Sequence, residues 1–67
     1  MTYGEKLRSL RLAAGLTQKQ LGMACGYDDK NADRNVRSWE ADEMMPRLSM
    51  VRALAAALKV PLDTLIP

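Results

Sequence analysis

The chain has 67 residues, of which 48% are apolar and only 4% aromatic, and its formal net charge is +2. A chain of this length forms one small domain without room for a sizeable catalytic cleft, so we expect a single domain over residues 1–67. It has no histidine and one cysteine, Cys25, which argues against an enzyme, a metal site, a cofactor or a small-molecule ligand.

The first predicted helix begins at a capping box. Thr2 and Glu5 have the T-x-x-E spacing in which each side chain bonds the backbone N–H of the other residue. Apolar residues then recur at helical spacing, and Gly15 is typical of the residue that follows a helix end. We predict helix one over residues 3–14, with its apolar positions at Leu7, Leu10, Leu12 and Ala14.

A second capping box, T-x-x-Q, is formed by Thr17 and Gln20. It predicts helix two over residues 18–25, which Gly26 ends. The next segment, residues 28–31, is polar and rich in turn-forming residues. The sequence therefore predicts that helix two is short and that a turn follows it.

Three more helical segments follow this turn. Pro46 disfavours helix in the residue before it, so a loop separates the third segment from the fourth. The predicted ranges are 32 or 33 to 41, 47–58 and 62–66, with apolar faces at Val36 and Trp39 in the third helix and at Leu48, Val51, Leu54, Ala55 and Leu58 in the fourth. We expect an all-α fold in which five short helices share one core and the second and third form a helix-turn-helix.

The chain has no stretch that predicts a membrane span. Its longest apolar run, residues 53–58, is far too short to cross a bilayer, and basic residues interrupt the first eleven positions. We expect a protein of the cytoplasm that has no membrane partner.

Four stretches of the chain have a specific order and spacing. They are LRxLRxxxGLTQ over residues 7–18, QxxLGxxxG over 18–26, VxxWE over 36–40 and PxLxxVxxLAxALxVxLDxL over 46–65. Together they resemble the lambda repressor/Cro-like helix-turn-helix family. The resemblance covers nearly the whole chain and implies a compact five-helix DNA-binding domain. It departs from the family at the turn between helices two and three, where 13 positions separate Gly26 from Trp39 and about nine are usual, so the turn is lengthened within residues 28–32.

The resemblance implies that helix three enters the major groove of DNA. Arg34 and Arg37 would each bond a guanine through its O6 and N7 acceptors, or would pair with nearby aspartates on a solvated surface. Asp33 would accept from a cytosine amino group or would cap the helix, and Asn31 is an equally good candidate for the cap. The candidate residues for base contact are Asp33, Arg34, Asn35, Arg37 and Ser38.

Other residues are candidates for contact with the DNA backbone or for support of helix three. Gln18 lies at a helix N-terminus, where unpaired N–H groups favour a phosphate. The resemblance implies that Arg11 pairs with Glu40 and so orients the recognition helix. The phosphate candidates are Arg8, Gln18, Lys19, Lys30, Arg47 and Ser49.

The resemblance implies a phage or prokaryotic transcriptional regulator associated with the nucleoid, a Cro-like repressor that binds a palindromic DNA operator as a homodimer. One feature favours an alternative, because residues 28–43 contain six acidic and three basic side chains. An acidic surface near the expected phosphates weakens the electrostatic part of DNA binding. The alternative is a protein-interaction module on the same fold, resembling an antitoxin or antirepressor, in which DNA binding is weak or lost.

Overall fold

A computed structural model describes all 67 residues, and it consists of five α-helices joined by short connections. The predicted all-α fold with five helices is confirmed, and each predicted boundary lies within one residue of the observed one. No helix has the length and apolarity that crossing a bilayer requires. The helices are α1 (Tyr3–Ala13), α2 (Gln18–Ala24), α3 (Ala32–Glu40), α4 (Leu48–Leu58) and α5 (Leu62–Leu65).

One hydrophobic core joins the five helices. Trp39 is buried, as predicted for the only large ring that can close the inner side of α3. Three predicted apolar positions are wrong, because Leu12, Ala14 and Leu48 are exposed. Ala14 follows the last residue of α1. Leu12 lies beside the buried face of α1, and Leu48 is the first residue of α4, at the edge of the core. The core residues are Leu7, Leu21, Val36, Trp39, Val51, Leu54, Ala55, Leu58 and Leu65.

Two glycines allow α2 and α3 to pack together. A Cβ atom on Gly22 would lie 2.4 Å from the carbonyl oxygen of Ala32, so only glycine permits the observed helix separation. Gly26 has a φ of 103°, which side chains disfavour, and it turns the chain after α2. The lengthened connection, residues 25–31, therefore begins with a sharp turn and ends at Ala32, where α3 packs against Gly22 of α2.

The start of α1 packs against the end of α3 and against α5. A Cβ atom on Gly4 would collide with the carbonyl groups of Trp39 and Glu40, because the two backbones are in close contact there. The hydroxyl of Tyr3 donates a hydrogen bond of 2.8 Å to the carbonyl oxygen of Leu65. The contact at Gly4 places the C-terminal end of α3 against α1, and the hydrogen bond from Tyr3 attaches α1 to α5.

The loop after α3 also caps α1. Asp42 has a left-handed φ of 60°, and its Oδ1 accepts a hydrogen bond of 2.8 Å from the backbone N–H of Gly4. The hydroxyl of Thr2 and, second, this N–H hold the pKa of Asp42 below its usual value, since both stabilise the ionised carboxylate. One of the two acidic residues in this loop therefore has a structural contact that the sequence did not reveal.

Candidate nucleic-acid interface

Helix α3 has a buried side and an exposed side. Ala32, Val36 and Trp39 recur at helical spacing and are buried against the core. Arg34 and Arg37 lie on the opposite side and are exposed. The remaining candidates for base contact, Asp33, Asn35 and Ser38, flank this side and are partly exposed. The structure thus brings both candidate arginines to one solvent-facing surface.

Arg37 pairs with an aspartate on its own helix. Its Nη2 lies 2.7 Å from Oδ2 of Asp33, one turn earlier, and the two side chains are 62% and 42% exposed. The suggestion that Asp33 caps the helix is wrong, because α3 begins at Ala32 and Asp33 lies inside the first turn. The alternative in which Arg37 pairs with a nearby aspartate describes the unbound chain.

Asn31 occupies the N-cap position of α3 but makes no side-chain capping bond. Its Nδ2 instead donates to Oδ1 of Asp28 at 2.8 Å, and its Oδ1 accepts from Nη2 of Arg34. Its backbone carbonyl accepts from Nδ2 of Asn35 at 2.8 Å. Asn31 is therefore held by the lengthened turn and contacts two of the candidate residues for base contact.

A buried ion pair attaches the end of α3 to α1. Nε and Nη2 of Arg11 donate to the two carboxylate oxygens of Glu40 at 2.7 and 3.1 Å, and Nη1 donates to the carbonyl of Leu16 at 2.9 Å. The two charged side chains are only 9% and 5% exposed. Gln18 joins them, because its Nε2 donates to Glu40 at 3.1 Å. The amide of Gln18 thus has a partner within the chain and retains one N–H for a phosphate.

The other candidates for phosphate contact are exposed, but their surroundings differ. Lys19 forms an ion pair of 3.0 Å with Asp29, which joins α2 to the lengthened turn. An exposed pair of this kind is weak and open to competition by another anion. The side chains without a hydrogen bond or ion pair within the chain are Arg8, Lys30, Arg47 and Ser49.

A cleft of about 370 Å³ lies between α3 and the start of α4. It places Asn35 of α3 near Arg47 and Ser49, so a candidate for base contact and two candidates for phosphate contact border one groove. Its apolar wall includes Tyr27 and Trp39, whose ring centroids are 5.9 Å apart. The other lining residues are Met44, Met45, Pro46 and Met50.

Sequence reasoning missed the contacts of Asp28, Asn31 and Asp42. The spacing of three positions from Asp28 to Asn31 and from Asn31 to Arg34 is visible in the sequence. It becomes informative only once the start of α3 is known, because a helix places residues three apart on the same side. No local pattern indicated the bond between Asp42 and Gly4, since 38 positions separate them.

Comparison with known families agrees with this geometry. A helix-turn-helix family model, of the XRE type that includes lambda repressor and Cro, matches residues 7–65. No curated protein matches the chain significantly. Members of the matched family are regulatory proteins that bind double-stranded DNA. Since the match covers nearly the whole chain, this protein belongs to the lambda repressor/Cro-like helix-turn-helix family of DNA-binding regulators.

Proposed function

We propose that residues 1–67 act as one sequence-specific DNA-binding domain that places α3 in the major groove of an operator. The observation that carries this proposal is the exposure of Arg34 and Arg37 on the side of α3 opposite the core. A major groove admits one α-helix, and each base pair presents a distinct pattern of donors and acceptors there. Two arginines one turn apart suit two guanines, because each guanidinium bonds O6 and N7 together.

The flanking residues of α3 complete the proposed base contacts. Ser38 presents a hydroxyl that both donates and accepts, and Asn35 has one amide group at the edge of the cleft. Asp33 accepts from a cytosine amino group once Arg37 has exchanged its carboxylate partner for a guanine. This exchange is feasible because the pair between Asp33 and Arg37 is exposed and therefore weak.

Contacts with the DNA backbone set the position of α3 in the groove. Arg47 and Ser49 border the same cleft as Asn35, so a phosphate bound there lies beside the base-contacting helix. The start of α4 adds backbone N–H groups, which favour an anion. The full proposed set of phosphate contacts is Arg8, Gln18, Lys19, Lys30, Arg47 and Ser49.

The buried pair of Arg11 and Glu40 keeps α3 in one orientation relative to α1. The two side chains are buried, and two hydrogen bonds join the guanidinium to the carboxylate. Removal of one partner would leave a buried charge without compensation. We assign the pair to positioning α3, with no contact to DNA.

The proposed regulator acts as a repressor that blocks a promoter when it occupies its operator as a homodimer. Two-fold symmetric proteins in this class bind half-sites about one helical turn of DNA apart. The surface proposed for the dimer combines residues 62–67 with Met44 and Met45, since these methionines and Ile66 are exposed apolar side chains. Sedimentation of the DNA complex measures its mass, and we expect the mass of two chains bound to each duplex.

Selection of bound duplexes from a random pool tests the proposed function. We expect an enriched palindromic motif that contains guanines at positions which Arg37→Ala and Arg34→Ala each relax. Affinity for the enriched duplex should fall steeply as salt rises, because binding releases counterions from phosphates. Absence of any enriched motif from the wild-type selection would contradict the proposal.

The cleft supports a second candidate function, that of a protein-interaction module. Met44 and Met45 are exposed beside Tyr27 and Trp39, and methionine-rich surfaces adapt to apolar partners. The acidic loop after α3 supports this function less than the sequence suggested, because the carboxylate of Asp42 bonds the start of α1. Negligible binding to every duplex at low salt, together with binding to a protein partner, would favour this candidate.

A further inference from the structure

We propose that Asn31 is a positioning residue for Arg34, so that the lengthened turn determines the preference for one base pair. This inference rests on the proposed function, in which Arg34 contacts a guanine. The structure links three side chains in sequence: the carboxylate of Asp28, the amide of Asn31 and the guanidinium of Arg34. The first two belong to the connection between α2 and α3, and the third belongs to α3.

The orientation of the Asn31 amide follows from its two partners. Oδ1 of Asp28 is an acceptor, so the NH₂ group of Asn31 must face it, at 2.8 Å. The guanidinium of Arg34 is only a donor, so the amide oxygen must face Arg34. A flipped amide would place two acceptors together on one side and two donors together on the other.

The turn also fixes the backbone of Asn31. Its N–H donates to Oδ1 of Asp28 at 3.0 Å, and its carbonyl oxygen accepts from the backbone N–H of Asn35 at 3.1 Å. Both ends of the residue are therefore attached, one to the turn and one to α3. The position of its side-chain oxygen relative to α3 follows from these bonds.

Arg34 gains a fixed direction without losing its charge. Only one N–H of Nη2 is used by Asn31, and no other N–H of this guanidinium bonds within the chain. An arginine side chain that is already ordered loses less rotamer entropy when it binds. Arg37 differs, because its partner is the carboxylate of Asp33, which neutralises it in the unbound chain.

The test measures the base preference of the wild type and of variants at each base pair of the selected motif. Comparison of the wild type with Arg34→Ala first identifies the base pair that Arg34 contacts. We expect Asn31→Ala to lower the preference for guanine at that base pair roughly tenfold, within the range of one bidentate contact. Preference at the Arg37 base pair and the thermal midpoint should stay unchanged. In the Arg34→Ala background, Asn31→Ala should have no further effect on base preference.

Variants in the turn separate positioning from general effects of charge or folding. Asp28→Ala should weaken the same preference, whereas Asp29→Ala, a matched loss of one acidic group in the same turn, should not.

Several outcomes would overturn the inference. They are an unchanged guanine preference in Asn31→Ala, an equal loss of preference at all base pairs with a lower thermal midpoint, and a persisting effect in the Arg34→Ala background. An Arg34→Ala variant that relaxes no base pair also overturns it while leaving the contacts of Arg37 in place. Failure of the wild-type chain to select any duplex is a separate result, which removes the proposed function itself.

Discussion

Helix α3 carries two arginine–carboxylate contacts of the same length whose surroundings are opposite. Nε of Arg11 lies 2.7 Å from Glu40, and Nη2 of Arg37 lies 2.7 Å from Asp33. The first pair is almost completely buried between α1 and the end of α3, and the second is largely exposed along one turn of α3. Equal distances therefore say little about function, and burial decides what each arginine can do.

The buried pair of Arg11 and Glu40 stays together, whereas the exposed pair of Arg37 and Asp33 can separate when another partner binds. Charges removed from water cannot separate without a large penalty, so Arg11 and Glu40 maintain the position of α3. An exposed pair contributes at most about 1 kcal/mol, so a phosphate or a base can replace Asp33 as the partner of Arg37. The same helix thus has one charged contact for architecture and one available for a ligand.

The largest expected effect comes from breaking the buried pair. Glu40→Ala should lower the free energy of unfolding by about 3–5 kcal/mol, because it leaves the Arg11 charge buried and unpaired. Urea denaturation measures this change. The double variant Arg11→Met/Glu40→Leu removes both charges and should recover most of the loss. Equal destabilisation by the single and double variants would refute the role assigned to the buried charge.

Breaking the exposed pair should affect DNA binding and leave stability nearly unchanged. Arg37→Ala should change the free energy of unfolding by less than about 0.5 kcal/mol, yet it should reduce discrimination at one base pair by about 1–3 kcal/mol. Binding to duplexes with single base-pair changes measures the second quantity. Arg52→Ala removes an equal charge from an exposed position on α4 and serves as the control. Equal loss of discrimination in both variants would count against the assignment.

A third variant frees Arg37 from its carboxylate partner and keeps the arginine itself. Asp33→Asn keeps the shape of the side chain and removes one negative charge beside the proposed interface. We expect nonspecific DNA affinity to rise roughly threefold, as an exposed pair of up to about 1 kcal/mol allows. Fluorescence anisotropy at low salt measures this change, with Asp63→Asn as the control of equal charge. Lower affinity in Asp33→Asn would show that the carboxylate supports binding.

The smallest expected effect concerns pH. Hydrogen bonds from the Thr2 hydroxyl and then the Gly4 N–H lower the pKa of Asp42 in the folded chain. Its contribution to stability is therefore present above the unfolded pKa and is lost as the pH falls through the folded pKa. The thermal midpoint between about pH 5 and about pH 2 should fall less steeply in Asp42→Asn than in the wild type. Parallel pH profiles would contradict the capping role.

Local sequence signals predicted the helices well because the relevant interactions are themselves local. Thr2 and Thr17 both form complete capping boxes, and Gly26 adopts the positive φ expected after a helix. The exposure of Leu48 and the cap supplied by Asp42 were not predictable in the same way. Both depend on where the loop after α3 lies relative to other helices, which periodicity does not specify.

The candidate site divides along the same line. The exposed positions of Arg34 and Arg37 follow from helical periodicity once Val36 and Trp39 are assigned to the core. Their partners follow only in part. An aspartate was among the alternatives for both arginines and is found for Arg37, whereas Arg34 bonds the amide oxygen of Asn31. The predicted start at residue 32 or 33 left open whether Asn31 or Asp33 is the cap. The observed start at Ala32 puts Asp33 inside the helix and Asn31 at the N-cap position.

We propose that the exposed guanidinium groups of Arg34 and Arg37 on α3 contact DNA, whereas the buried guanidinium of Arg11 on α1 does not. The most direct measurement follows the arginine Nε–H signals by NMR as the selected duplex is added. We predict that the signals of Arg34 and Arg37 move on binding, whereas the signal of Arg11 stays in place. Unchanged Arg34 and Arg37 signals in a chain that has bound the duplex would contradict the account.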